Sequence, residues 1–121
     1  MKDKAQITEK VQLYFDSMYE SSPQKVKEVF HPDAKITGYM QEKLFEQTVD
    51  DFANFVASQQ PSAKEKKEPK DLEILSIDIA GNTAVAIVRD KYIGLSFLDS
   101  LSFLKVKNKW VIYNKLFHVE A

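Results

Sequence analysis

The chain has 121 residues, 44% of them hydrophobic and 12% aromatic, which suits one folded domain with a single core and excludes a disordered chain. Seventeen basic residues against eighteen acidic ones leave a formal net charge of -1, so there is no electrostatic footprint for nucleic acid. No run approaches the ~20 apolar residues that span a bilayer, the start MKDKAQITEK is charged, and cysteine is absent. The expectation is a soluble, cytoplasmic protein with no membrane partner, disulfide, thiolate nucleophile or Cys-ligated metal.

Taken in order, Ile7, Val11, Tyr14, Phe15 and Met18 recur at helical spacing and predict a first helix over Ala5 to Glu20. Ser21-Ser22-Pro23 breaks it, with Ser22 as N-cap and Pro23 as first residue of a short helix running to Phe30. His31-Pro32 ends that helix, because a residue before proline is driven out of helical geometry. A strand is predicted over Asp33 to Met40 and a second over Lys43 to Glu46. Thr48, followed by Asp50 and Asp51, marks the start of a third helix, Val49 to Ser58, with Phe52, Phe55 and Val56 inward. Gln59 to Lys70, bounded by Pro61 and Pro69, has the composition of a solvated loop.

Two hairpins complete the chain. LEILSIDIA and TAVAIVRDKYI flank Gly81-Asn82, whose positive φ angles make a tight turn. From Gly94 to Val119 the alternation of GLSFLDSLSFLKV and WVIYNKLFHV predicts two long strands around Lys107-Asn108-Lys109. With that three-residue turn, Phe97, Asp99, Leu101 and Phe103 share a face with Val111, Tyr113, Lys115 and Phe117. Trp110, Ile112 and Asn114 take the other. Asp99 and Lys115 are then one diagonal step apart in an otherwise apolar row. Three helices with a short strand or two among them, then four strands in two successive hairpins, give an α+β fold.

The segments YFDSMY (Tyr14 to Tyr19), VFHPDAKITGY (Val29 to Tyr39), ILSIDIAGNTAVAIV (Ile74 to Val88), FLDSLSFLK (Phe97 to Lys105) and WVIYNKLFH (Trp110 to His118) carry a resemblance over nearly the whole chain. They resemble the nuclear-transport-factor-2-like superfamily, and within it the SnoaL-like, putative lumazine-binding branch. The resemblance implies a cystatin-like α+β barrel: a cone-shaped, curved, mostly antiparallel sheet wrapped on a long N-terminal helix. It also implies a pocket at the open end and a homodimer through the outer sheet face. Phe97, Asp99, Leu101, Tyr113, Lys115 and Phe117 would face the pocket, and Trp110, Ile112 and Asn114 the partner. Outer apolar residues Leu98, Leu104 and Ile112 would need such a cover.

One member of the superfamily, ketosteroid isomerase, suggests chemistry. Counted without gaps from LYFDSMY, its helix tyrosine falls on Tyr14 and its donor aspartic acid on Asp99, but its catalytic base falls on Gly38. A glycine transfers no proton, which disfavours that isomerisation. An enzyme would need another carboxylate in the cavity, Asp90 being the candidate.

Asp99 reads either as an acid, hydrogen-bond donor or ligand anchor, or as half of a structural ion pair with Lys115. Tyr14 reads as a ligand donor or as a satisfied core tyrosine, and Lys115 as an anion anchor, an amine nucleophile or a stem snorkelling outward. Met18, Phe52, Phe55 and Tyr92 are candidate pocket walls beside Phe97, Leu101, Tyr113 and Phe117. His31 suits a helix end, and with His118 it forms no metal-ligand spacing; no glycine-rich phosphate loop or GxSxG elbow is present. Neither metal nor cofactor is therefore expected. The functional expectation is a domain holding a small hydrophobic or amphipathic molecule, with Tyr14 and Asp99 as catalytic candidates if it is an isomerase, dehydratase or cyclase. The third reading is a protein-interaction scaffold.

Overall fold

Three helices fill the concave side of a curved six-stranded sheet. The computed structural model describes residues 2–120, with α1 (Lys2–Tyr19), α2 (Pro23–Val29), β1 (Phe30–Met40), β2 (Lys43–Thr48), α3 (Val49–Ser58), β3 (Leu72–Ala80), β4 (Thr83–Tyr92), β5 (Leu95–Val106) and β6 (Lys109–Glu120). The strands lie in the order β2-β1-β6-β5-β4-β3, antiparallel except for the parallel pair β1 and β6. None of the helices is long and apolar enough to cross a membrane.

The local signals explain the helices. Ile7, Val11, Tyr14, Phe15 and Met18 form the buried stripe of α1 against the sheet; each such apolar side chain contributes about 1.5–3 kcal/mol when removed from water. The Ser22 hydroxyl accepts from the Lys25 N–H, and Pro23 occupies a position that needs no donor. Thr48 and Asp51 form a reciprocal capping box at the start of α3. That helix buries Val49, Phe52, Ala53 and Val56, while Phe55 is half-buried at its edge.

β1 begins earlier than expected, at Phe30. His31 and Pro32 fall where its pairing with β6 is irregular, between Phe30 and Lys35, and an irregular stretch is where a strand tolerates a residue without an N–H. The 59–70 segment forms no strand or helix, but it is tied down. Lys64 N–H donates to the Tyr19 carbonyl, the Tyr19 hydroxyl to the Glu68 carbonyl, and the Ser21 hydroxyl to the Gln59 carbonyl.

The last hairpin departs from the expected geometry. Its turn has two residues, not three: Val106 pairs with Lys109, and Lys107 and Asn108 take φ of 50° and 65°. The register is thus offset by one near the turn. A bulge then restores it, since Ser102 opposes Asn114 while Phe103 opposes Ile112, leaving Tyr113 as the extra residue. The parity reverses at that point. Trp110 and Ile112, expected on the outer face, are buried in the core, and Tyr113, expected in the pocket, is 41% exposed with its ring 5.0 Å from His31. Beyond the bulge the predicted register holds: Asp99 opposes Phe117 and Leu101 opposes Lys115.

Candidate functional site

A cavity of about 170 Å³ opens between the concave face of the sheet, α1 and α3. Phe52 and Phe55 reach it from α3, Met18 from α1, and Phe97 and Phe117 from β5 and β6. Met40, Phe45 and Gln47 close the side of β1 and β2, and Ile93 stands at the β4–β5 turn. Into these apolar walls the sheet inserts Asp90, Tyr92 and Lys115. Tyr14, Asp99 and Leu101 lie deeper, behind the wall rather than on it, all buried.

The acidic residues are set by strand parity. On β4, Ala84, Ala86, Val88 and Asp90 share the inner face, and Val88 opposes Asp99, so Asp90 is one diagonal step from Asp99. Lys115 is the diagonal neighbour on the opposite side, through the Leu101 pairing. Three ionisable side chains therefore step diagonally across β4, β5 and β6 on the inner face of the sheet.

The Tyr14 hydroxyl donates to Asp99 Oδ2 at 2.6 Å. Asp99 Oδ1 and both Asp90 oxygens meet no N–H or O–H donor among the described residues. The donor able to join them is a carboxyl proton. Burial first, then the neighbouring Asp99 charge and a hydrogen bond to Asp99, push Asp90 up to about 9, against a smaller opposing pull from Lys115. At neutral pH the Asp90–Asp99 pair therefore retains a proton between them. Burial, followed by the Asp99 and Asp90 charges, raises Tyr14 well above the usual phenol range, which keeps it a donor.

Lys115 departs from the snorkelling geometry. It is buried, its Nζ 4.7 Å from the Phe52 ring centre, 4.9 Å from Tyr14 and 5.8 Å from Phe117. Within 4.0 Å of its ammonium no carboxylate oxygen occurs among the described residues. The Asp99–Lys115 ion pair, one of the two readings of Asp99, is thus absent at that distance, and the ammonium sits among ring faces instead. The Tyr92 hydroxyl is also buried without a partner, its ring edge-on to Phe55 at 6.3 Å; burial raises its pKa.

Gly38 has a packing reason. A Cβ there would stand 2.4 Å from the Phe117 carbonyl oxygen and 2.5 Å from its ring, because β1 approaches β6 closely where Phe117 turns into the cavity. An acid at this position would displace the pocket wall.

On the far side of Met18, Tyr92 and Ile93 lies a wider cleft of about 840 Å³ under the 59–70 segment, sharing those three residues with the inner cavity. Ile93 has φ of 49°, costly for a β-branched residue, in a two-residue turn with Gly94 at 76°. No group of three His, Asp or Glu side chains among the described residues is placed to hold a metal ion.

Comparisons with known proteins agree with this architecture. The profile of a family described as Putative lumazine-binding matches residues 2–118. Among solved structures, an NTF2-like protein of unknown function from Methylobacillus flagellatus is 30% identical, with a TM-score of 0.88 over 100% of this chain and 94% of that one. An NTF-2 like protein of unknown function from Silicibacter pomeroyi superposes with a TM-score of 0.91 at 20% identity, covering 98% and 97% of the two chains. A protein with a cystatin-like fold from Caulobacter vibrioides gives 0.71 at 15% identity, covering 100% and 92%. Among curated proteins, an aldolase, FrzH, from Cladobotryum sp is 28% identical over 109 residues, 87% of this chain and 82% of the relative.

Proposed function

The chain belongs to the Putative lumazine-binding family within the NTF2-like superfamily, and from that premise we propose that it holds a small, partly apolar molecule in the inner cavity. The observation that carries this reading is the polar chemistry at the cavity: a buried carboxyl pair and a hydroxyl with unpartnered oxygens among the described residues, and an ammonium with no carboxylate oxygen within 4.0 Å, set in walls of phenylalanine and methionine. A sequence selected only for stability has no use for such groups, because each orphaned polar atom costs about 1–3 kcal/mol that an apolar side chain would avoid. A cavity largely apolar with a few converging polar groups is the ordinary form of a small-molecule site.

A second reading follows from Asp90. A carboxylic acid that keeps its proton at neutral pH, hydrogen-bonded to Asp99 and through it to Tyr14, is equipped to give that proton to a carbonyl oxygen and take it back. The similarity to an aldolase points the same way, toward reactions passing through an enol or enolate. Asp90 would be the acid, Asp99 and Tyr14 would position it, and Gly38 would have no part. The outer face of the sheet, where Val85, Leu116 and Tyr39 are exposed, supports the proposed homodimer.

Thermal unfolding in the presence of a panel of small ketones, phenols and carboxylic acids tests the binding reading. A true ligand at a hundred times its Kd stabilises the fold by about 2.7 kcal/mol, and Asp90→Asn, a change in the cavity lining itself, should reduce that gain. Equal stabilisation of both proteins by every hit, or no hit from the panel, would refute it.

A further inference from the structure

We infer that the molecule held in the cavity carries an anionic oxygen group, a carboxylate or enolate, seated between the Lys115 ammonium and the Tyr92 hydroxyl, with its apolar body against Phe52, Phe97 and Phe117. This rests on the inner cavity being the binding site. It goes further by naming the chemistry of what binds there.

The argument begins with donors and acceptors. Asp99 has both oxygens accounted for, one by Tyr14 and one by the proton shared with Asp90. What remains toward the cavity is one acceptor, the second Asp90 oxygen, and two donor groups: the O–H of Tyr92, without a partner among the described residues, and the Lys115 ammonium, with no carboxylate oxygen within 4.0 Å among them. A ligand bringing only donors would answer the single acceptor and leave both donor groups unanswered, whereas one bringing acceptor oxygens answers them.

Charge then separates an anionic acceptor from a neutral one. Asp90, the acid nearest the cavity, is kept neutral chiefly by its burial and so does not repel an anion. The other acid, Asp99, lies behind the cavity wall and more than 4.0 Å from the ammonium. The positive charge of Lys115 thus acts on the cavity through apolar surroundings, where screening is weak. Aromatic faces on three sides are the surroundings of an ammonium, which argues for Lys115 as an ion anchor over an amine that attacks a carbonyl. The volume of about 170 Å³ limits the apolar body to a single ring or a short branched chain.

Benzoate and nitrobenzene form a matched pair of probes, with the same shape and the same two oxygens but different charge. Their binding is read from the 13C-methyl signals of Met18 and Met40, both of which line the cavity. Benzoate should bind the wild type at least about tenfold more tightly than nitrobenzene, as expected for a charge-assisted contact in a dry site. Lys115→Met should bring the two within about twofold, Lys115→Arg should retain most of the preference, and Tyr92→Phe should weaken benzoate more than nitrobenzene. Melting curves establish that each variant is folded. Equal affinity for the two probes in the wild type, or a preference surviving in folded Lys115→Met, overturns the inference while leaving the cavity as a binding site. If neither probe moves either methionine signal, the cavity reading falls with it.

Discussion

Asp90→Asn should change how stability depends on pH more than it changes stability at any one pH. In the unfolded chain Asp90 ionises near 3.8, and in the fold burial holds its proton to about 9. Between those values the folded state binds about one more proton than the unfolded state, so stability falls as pH rises, by about 1.4 kcal/mol per unit. The contribution is fully present below the lower value and has been lost once pH passes the upper one. From pH 5 to pH 8 the wild type should therefore lose about 4 kcal/mol from this group alone, a large share of the 5–15 kcal/mol of an ordinary domain. The asparagine variant keeps the shape and an N–H donor toward Asp99 but has no proton to lose, so this slope should vanish. Groups with lowered values, such as Asp3 and Glu120, slope the other way and cancel in the difference. Urea unfolding followed by the fluorescence of Trp110, the single tryptophan and a buried one, gives both curves. Parallel pH profiles for the two proteins, with a difference constant to within about 1 kcal/mol, would refute the buried proton.

Other changes have outcomes of definite sign. Tyr14→Phe leaves Asp99 Oδ2 buried without its donor, so urea unfolding should show a loss of about 2–3 kcal/mol with little change in m value. Gly38→Asp, which would restore the acid of the isomerase pattern, should give a poorly folded protein by circular dichroism and no gain of steroid isomerisation, since its Cβ meets the Phe117 backbone. Ile93→Asn relieves a β-branched residue of its positive φ and should raise stability by about 1 kcal/mol, read from the urea midpoint.

The alternation of β5 and β6 carried most of the architecture, and the reasons for its one failure are specific. Lys107-Asn108-Lys109 is compatible with a two- or three-residue turn, and nothing in the pattern of apolar residues announces a bulge. The error of one residue therefore placed Trp110 and Ile112 outside and Tyr113 inside, whereas Asp99 and Lys115, past the bulge, kept their faces. Asp90 was legible in principle: it continues the phase of Ala84, Ala86 and Val88 onto the inner face. Its pairing with Asp99 depends on the alignment of β4 with β5, which two separate hairpins do not specify. The fate of Lys115 depends on rings from α1, α3 and β6 converging on one ammonium, a three-dimensional fact that a snorkelling rule for strand lysines does not contain.

The most direct measurement is a pH titration of the Asp90 side-chain carboxyl carbon by 13C NMR. The account predicts a protonated signal at pH 7 that moves only as pH approaches about 9. A carboxyl that titrates below pH 5, as an exposed aspartate does, would contradict it.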